Sequence, residues 1–267
     1  MIMKKVLITL TVLTFFICPA IKAQVFVDDG VIQYEKSVNM YAITLAQITK
    51  TNEASMKYSL ESYQKNKFKI LKSSLSFSNN KTLFEPEAVP VNPYGSQYVY
   101  LVRGGVELSG GNTTPQSEQN NTIYTDVSAQ TCINQKTVYD ETFLVKDAPR
   151  PIKWKITGEM RNVAGYNCRR ANGLMMDSIY VVAFYTDDIQ VSGGPESFNG
   201  LPGMILQVAL PDEHIIWTAT KVEGKTIPAL KAPVKGKAVN NKELQATLEI
   251  NFKSRPLMKD LLKGFIL

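Results

Sequence analysis

Gly193-Gly194-Pro195-Glu196-Ser197-Phe198-Asn199-Gly200-Leu201-Pro202-Gly203 holds four glycines and two prolines in eleven residues, between two strongly apolar segments. Glycine reaches backbone angles that other residues avoid, and proline fixes one dihedral while removing a donor. The run therefore reads as a long connection of fixed shape, with Phe198 and Leu201 as apolar anchors. Upstream, Ser178 to Tyr185 is apolar at both parities, Ile179, Val181 and Ala183 against Tyr180, Val182 and Phe184. That is the pattern of a strand covered on both sides. Downstream, Met204, Leu206, Val208 and Leu210 alternate, Pro211-Asp212-Glu213 turns the chain, and Ile215 to Val222 returns with Trp217 inside. The loop is expected to link two of the most buried strands and to plug the end of a sheet. On that reading Gly200→Val should harm stability more than Glu196→Ala.

Working outward, Ile152 to Met160 alternates most clearly, with Ile152, Trp154 and Ile156 facing one way and Lys153, Lys155, Thr157 and Glu159 the other. One side is buried and one is wet, as in an antiparallel sheet, and Val163 to Ala171 pairs back as a hairpin. Thr122 to Asp126 and Ile133 to Val145 are strand-like, as is Phe68 to Phe84 with a turn at Asn79-Asn80. Gly30 to Ile43 reads as a first strand, with Ile32, Tyr34, Val38 and Met40 on one parity. Met56, Leu60 and Tyr63 form a helical stripe over Asn52 to Lys65. Glu243 to Phe252 fits a strand through Ala246, Leu248, Ile250 and Phe252, or a helix through Leu244 and Leu248. The proline-bearing Glu85 to Tyr94 and Lys225 to Lys237 suit extended chain, and Gly104 to Gln119 a surface loop. The expected fold is mainly β: a curved antiparallel sheet, half-barrel or sandwich-like, with one or two short helices.

Lys4 and Lys5, an apolar core from Val6 to Ile17, and Pro19 to Ala23 before Gln24 have the form of a secretory signal peptide. The expected organisation is a signal peptide over residues 1–23 and one β-rich domain over residues 24–267. The apolar run is shorter than a membrane span, so no transmembrane span is expected in the mature chain. Ile17 stands before Cys18 where a lipid-attachment site needs a small residue. The whole chain has 30 Lys and Arg against 24 Asp and Glu; loss of Lys4, Lys5 and Lys22 leaves 27 cations against 24 acids, a net charge of +3. Such a mild balance does not argue for a nucleic-acid partner. Export leads to the periplasm, the inner face of an outer membrane or the medium. There a Cys132–Cys168 disulfide is the leading expectation, with two buried thiols as the alternative.

Gly200-Leu201-Pro202-Gly203-Met204-Ile205 resembles the signature of the GLPGLI family, exported proteins of Bacteroidetes-type bacteria. Trp154-x-Ile156-x-x-Glu159, then Gly165-Tyr166-x-Cys168, resembles the block that precedes it, and Gly194-Pro195 and Phe198 belong to the approach. Met204 replaces the Leu of the motif and Phe184 stands where Trp is expected, both mild apolar exchanges. The likeness covers roughly residues 125 to 225 and implies a structural role for these positions. The family carries no established activity.

Candidate sites are sparse. His214, beside Asp212 and Glu213, is the single histidine and has no nucleophile elbow to serve. Neither zinc nor calcium spacing is present, and Met175-Met176 reads as packing rather than a soft-metal site, so no catalytic residue, metal or cofactor is expected. Trp154, Tyr166, Phe184, Tyr185, Phe198 and Trp217 are expected in the core, or lining an apolar cavity if the sheet curves uncovered. Arg161, Arg169 and Arg170 with Lys153 and Lys155 form a basic face that Glu159 can pair with. Three functions fit: a non-enzymatic envelope protein binding a lipid or lipidated segment, a module docking on an outer-membrane assembly, or, more remotely, a hydrolase using Glu159, Asp187 or Asp188.

Overall fold

Two-residue alternation becomes strand over Ile152 to Met160 and over Met204 to Leu210. The structure is a computed structural model and describes residues 27–49, 52–87, 99–102, 105–108, 119–138 and 141–252. In chain order these form β1 (Gly30–Asn39), α1 (Met40–Ala46), α2 (Glu53–Lys65), β2 (Phe68–Ser78), β3 (Lys81–Pro86), β4 (Val99–Val102) and β5 (Gly105–Leu108). There follow β6 (Thr122–Asp126), β7 (Thr131–Val138), β8 (Glu141–Asp147), β9 (Ile152–Val163), β10 (Tyr166–Met175), β11 (Ile179–Thr186), β12 (Met204–Leu210), β13 (Ile215–Gly224), β14 (Lys237–Val239) and α3 (Asn241–Phe252). The expected signal peptide over residues 1–23 lies outside the described residues, as do most of Glu85 to Tyr94 and of Gly104 to Gln119.

One sheet of twelve strands carries the fold, in the order β14-β8-β7-β6-β3-β2-β1-β13-β12-β11-β10-β9, and it is not closed into a barrel. β4 and β5 pair separately. Two meanders make the sheet, one from β1 to β8 and one from β9 to β13, joined where β1 runs antiparallel to β13 from Gly30↔Gly224 to Val38↔Ile215. Among the strands of the described residues only β14 pairs parallel, on β8. Register irregularities at Gln33/Tyr34 in this seam, and at Arg169/Ala171 and Phe184/Tyr185 in the β9–β13 meander, bend the strands.

The bends let side chains from both meanders meet. Ile32, Tyr34, Leu75, Phe77 and Phe84 share a core with Cys168, Phe184, Met204 and Leu206. A second core gathers Val38, Val181, Ala183, Tyr185, Val208 and Trp217 with the loop residues Phe198 and Leu201. β11 thus divides its side chains between two cores, in line with its apolar character at both parities. Tyr34 ties β1 to β12 by donating its hydroxyl to the Ile205 carbonyl at 2.6 Å. Burial pushes the Tyr34 pKa well above that of an ordinary tyrosine.

Several expectations need correction. β1 stops at Asn39, whose side chain accepts from the Ala42 amide at 3.0 Å and starts α1, so the first strand does not reach Ile43. Ile133 to Val145 is two strands: β7 and β8 fold back with Val138 opposite Glu141. Residues 241–252 are helix, with Leu244 and Leu248 buried, and the helices number three among the described residues. The Asp147 carboxylate accepts from the Asn241 amide (3.1 Å) and side chain (3.0 Å), which anchors the start of α3 to β8. The Cys132–Cys168 bridge is not formed. Cys132 lies on β7 and Cys168 on β10, in different meanders, where Cys132 accepts from Thr125 and Cys168 donates to the Tyr166 carbonyl. Burial raises the pKa of both thiols, that of Cys168 to about 12.

Gly203 closes the loop against β11, where a Cβ would sit 2.1 Å from the Thr186 carbonyl oxygen. Gly158 on β9 has open space around it. We expect Gly203→Ala to lower the melting temperature sharply, by the equivalent of about 3 kcal/mol or more, and Gly158→Ala to leave it nearly unchanged. Thermal unfolding followed by circular dichroism compares them.

Candidate functional site

The connection from β11 to β12 lies across the interior. Its backbone is fixed by Met204 N–H to the Ile189 carbonyl (3.1 Å) and Ile205 N–H to the Gly193 carbonyl (2.8 Å). At Gly194 a Cβ would meet Ile205 Cβ at 2.9 Å, and at Gly193 it would meet Thr82 Cγ2 of β3 at 2.9 Å, so the chain passes where only glycine fits. Phe198 packs edge-on to Trp217 with ring centroids 5.5 Å apart and planes at 62°. Trp154 holds the far end by donating its indole N–H to the Asn199 carbonyl at 2.9 Å.

Inside this plug sits a cluster of charges. Glu196 and Lys36 are both buried, with Oε1 and Nζ 3.5 Å apart, and Lys36 Nζ lies 5.0 Å from the Trp217 ring centroid. Lys136 on β7 is also buried. Burial pulls its pKa down to about 8, the Glu196 carboxylate acting in the opposite direction. Beside them Cys132, Asn134, Asp147, Arg150, Ser197 and Asn241 border a cleft of about 20 Å³, enough for one water molecule. Arg150 donates to Asn241 Oδ1 at 2.8 Å. The loop thus reaches from β1 and β13 to β7 and β8.

Each sequence-derived candidate has a definite place. Tyr185, Phe198 and Trp217 are buried in one core with Trp154 against it, while Phe184 is buried in the other with Tyr166 against it. The six aromatics therefore do not surround a common cavity. Gly194, Pro195, Leu201 and Gly203 are buried in the plug, whereas Gly200 (φ +89°) and Pro202 reach the surface. Gly165 (φ +89°) forms the turn from β9 to β10. Glu159 pairs with Arg170 and, at 4.0 Å, with Arg161. His214 is exposed in a turn, Asp187 is exposed, Met175 is buried and Met176 is exposed. Among the described residues no group of three His, Cys, Asp or Glu is placed to hold a metal ion. Reading the sequence alone misses Lys36 and Lys136. The signal at Lys36 is its parity, shared with Ile32, Tyr34 and Val38, which makes it the one charge on an otherwise apolar face.

The outer face of the sheet has a different character. By register, Ile70, Ser37, Ile216, Ala209, Val182, Asn172 and Lys155 form one row across seven strands. Leu174 faces Tyr180 in the adjoining row, with Lys153 beside it. Ile70, Leu174, Tyr180 and Ile216 are 48%, 40%, 38% and 43% exposed; Leu174 and Tyr180 are direct neighbours, and Ser37 stands between Ile70 and Ile216. Lys153, Lys155, Arg161 and Arg170 border this patch on β9 and β10, balanced by Glu159 and Asp177. Arg161 lies over Phe184 at 4.1 Å from the ring centroid and donates to Gln207 at 2.8 Å.

The segment from Leu174 on β10 through the plug to Gln207 on β12, residues 174–207, matches a Bacteroidetes-type family described as "Protein of unknown function (Porph_ging)". No curated protein matches the chain. Two solved structures of PNGF-II are similar in shape. One, in space group P21, has a TM-score of 0.47 and 16% identity over 85% of this chain. The other, in C2, has a TM-score of 0.49 and 14% identity over 82%. The chain spans about a third of the length of PNGF-II, 34% and 32% respectively.

The buried charges reverse the expected order of the two loop substitutions. Removing the Glu196 carboxylate takes away the countercharge that lies 3.5 Å from buried Lys36, a loss of about 3 kcal/mol. A Cβ on Gly200 would come no closer than 3.4 Å to Trp154 Nε1, so substitution there is opposed chiefly by the positive φ. We expect Glu196→Ala to lower the denaturant midpoint more than Gly200→Val. Lys136 gives a pH signature. Its folded pKa lies below the unfolded value, so the native state holds fewer protons and wild-type stability rises with pH from about 8 towards the ordinary lysine range. Against Lys136→Met, the wild type should gain roughly 3 kcal/mol over that window, measured by urea unfolding of both proteins from about pH 7 to the ordinary lysine pKa.

Proposed function

We propose that this chain is an exported, GLPGLI-like, non-enzymatic module that docks a partner protein of the cell envelope on the outer face of its sheet. The observation that carries this reading is the patch of Ile70, Ile216, Tyr180 and Leu174, exposed in adjoining rows and bordered by four cations and two acids. Apolar centre and charged rim are the composition of an interaction surface. Its excess of cations suits a partner segment that is acidic around apolar side chains. The rival reading, a lipid or lipidated segment held inside a curved sheet, has less support, because Phe198, Trp217, Tyr185 and Phe184 spend their apolar surface on one another and on the plug. A carboxylate hydrolase has less still, since Glu159 is occupied by Arg170 at a strand edge.

The test places a photoreactive amino acid at Tyr180 or Ile216, and as a control at Tyr58 on α2, which is 81% exposed. We expect discrete adducts with an envelope protein from the first two positions and none from the third. Equal labelling from all three would overturn the proposal. A lipid-sized mass co-purifying in native mass spectrometry, without protein adducts, would favour the carrier.

A further inference from the structure

β9 ends the sheet with twelve residues, Ile152–Val163, and among the described residues no strand pairs with its outer edge. We propose that a second copy of this chain pairs there, β9 antiparallel to β9, with Ile156 of each copy on the two-fold axis. This surface is a strand edge; it shares Lys153, Lys155 and Glu159 with the rim of the docking patch, whose apolar centre of Ile70, Ile216, Tyr180 and Leu174 it leaves uncovered.

A two-fold axis normal to the sheet sets each residue opposite one equally far beyond the axis. Four such registers overlap nine or more residues of β9, centred on Ile156, Thr157, Gly158 or Glu159. Centring on Thr157 sets Lys153 against Arg161, and centring on Gly158 sets Lys155 against Arg161. Centring on Glu159 sets that carboxylate against itself. Directly opposed like charges are unfavourable. Only the Ile156 register avoids them: Lys153 faces Glu159 of the second copy, twice, and Lys155 faces Thr157.

The same register covers the apolar side of the edge. Ile156 (45% exposed) meets its own counterpart, and Met160 (55% exposed) meets half-buried Ile152. Trp154 faces Gly158, which has no side chain to obstruct the ring. Lysines and bulges are the usual means by which an edge strand is kept from pairing at random. β9 has both, the bulge lying where Thr157, Gly158 and Glu159 oppose Arg170 alone. Of the four long registers, the charges leave one.

Charge exchange tests the register. The wild-type protein at tens of micromolar should run as twice the mass of one chain in size exclusion with light scattering. Lys153→Glu sets Glu against Glu159, and Glu159→Lys sets Lys against Lys153. Each variant alone should weaken association at least tenfold while keeping a folded circular dichroism spectrum. Mixed together, the two variants oppose Glu to Lys at one contact and Lys to Glu at the other, so the mixture should recover dimer as a one-to-one heterodimer. A monomeric wild type, or a mixture that stays monomeric while both variants are folded, would overturn the proposal. Adducts at Tyr180 from a monomeric wild type would leave the docking surface standing.

Discussion

A largely buried carboxylate organises the centre of this protein. Glu196 is buried next to Lys36 of β1, and Lys136 of β7 feels its charge from the other side. Ions so placed have lost their hydration and depend on one another, so the loop that carries Glu196 has little freedom to sit elsewhere. The glycines and prolines around it set the path, and Phe198, Leu201 and Trp217 fill the space that the path leaves. Two meanders are thereby held at a fixed separation, with the loop as a common element.

The sheet is readable from sequence because its alternation is a direct imprint of one wet and one dry face. Ile152 to Met160 and Met204 to Leu210 fall into place for that reason, and β11 is recognisable as a two-sided strand. Expectation and structure part where local chemistry overrides pattern. Asn39 caps a helix in the middle of an apolar parity, and residues 241–252 satisfy both periods until Asp147 supplies an anchor 94 positions away. Glu196 looks dispensable in the sequence because a charge in a loop is normally solvated. Its burial comes from Lys36 and Lys136, which are remote in sequence, and no local pattern brings those three together. Most of the aromatic residues are buried as their parity implies. Which core each belongs to depends on bends at three register irregularities that alternation does not encode.

Interior and exterior therefore divide the work. The motif that marks the chain, residues 200–205, lies wholly in the plug and β12, where it serves packing. The features that a partner could read lie elsewhere, on the outer rows of β10, β11 and β13 and along β9. The family match over residues 174–207 takes in this motif at its C-terminal end.

The seam between β1 and β13 has a consequence for how the protein comes to be folded. It joins residues 30–38 to residues 215–224, so the first strand waits for almost the last. Contacts so distant in sequence slow folding, because the intervening chain must be ordered before they repay its lost entropy. The β9 to β13 meander, with short hairpins and its own loop, can organise locally, while β1 to β8 would present an unmatched edge until it arrives. A chain built this way commits to its final form only when β13 is available to β1.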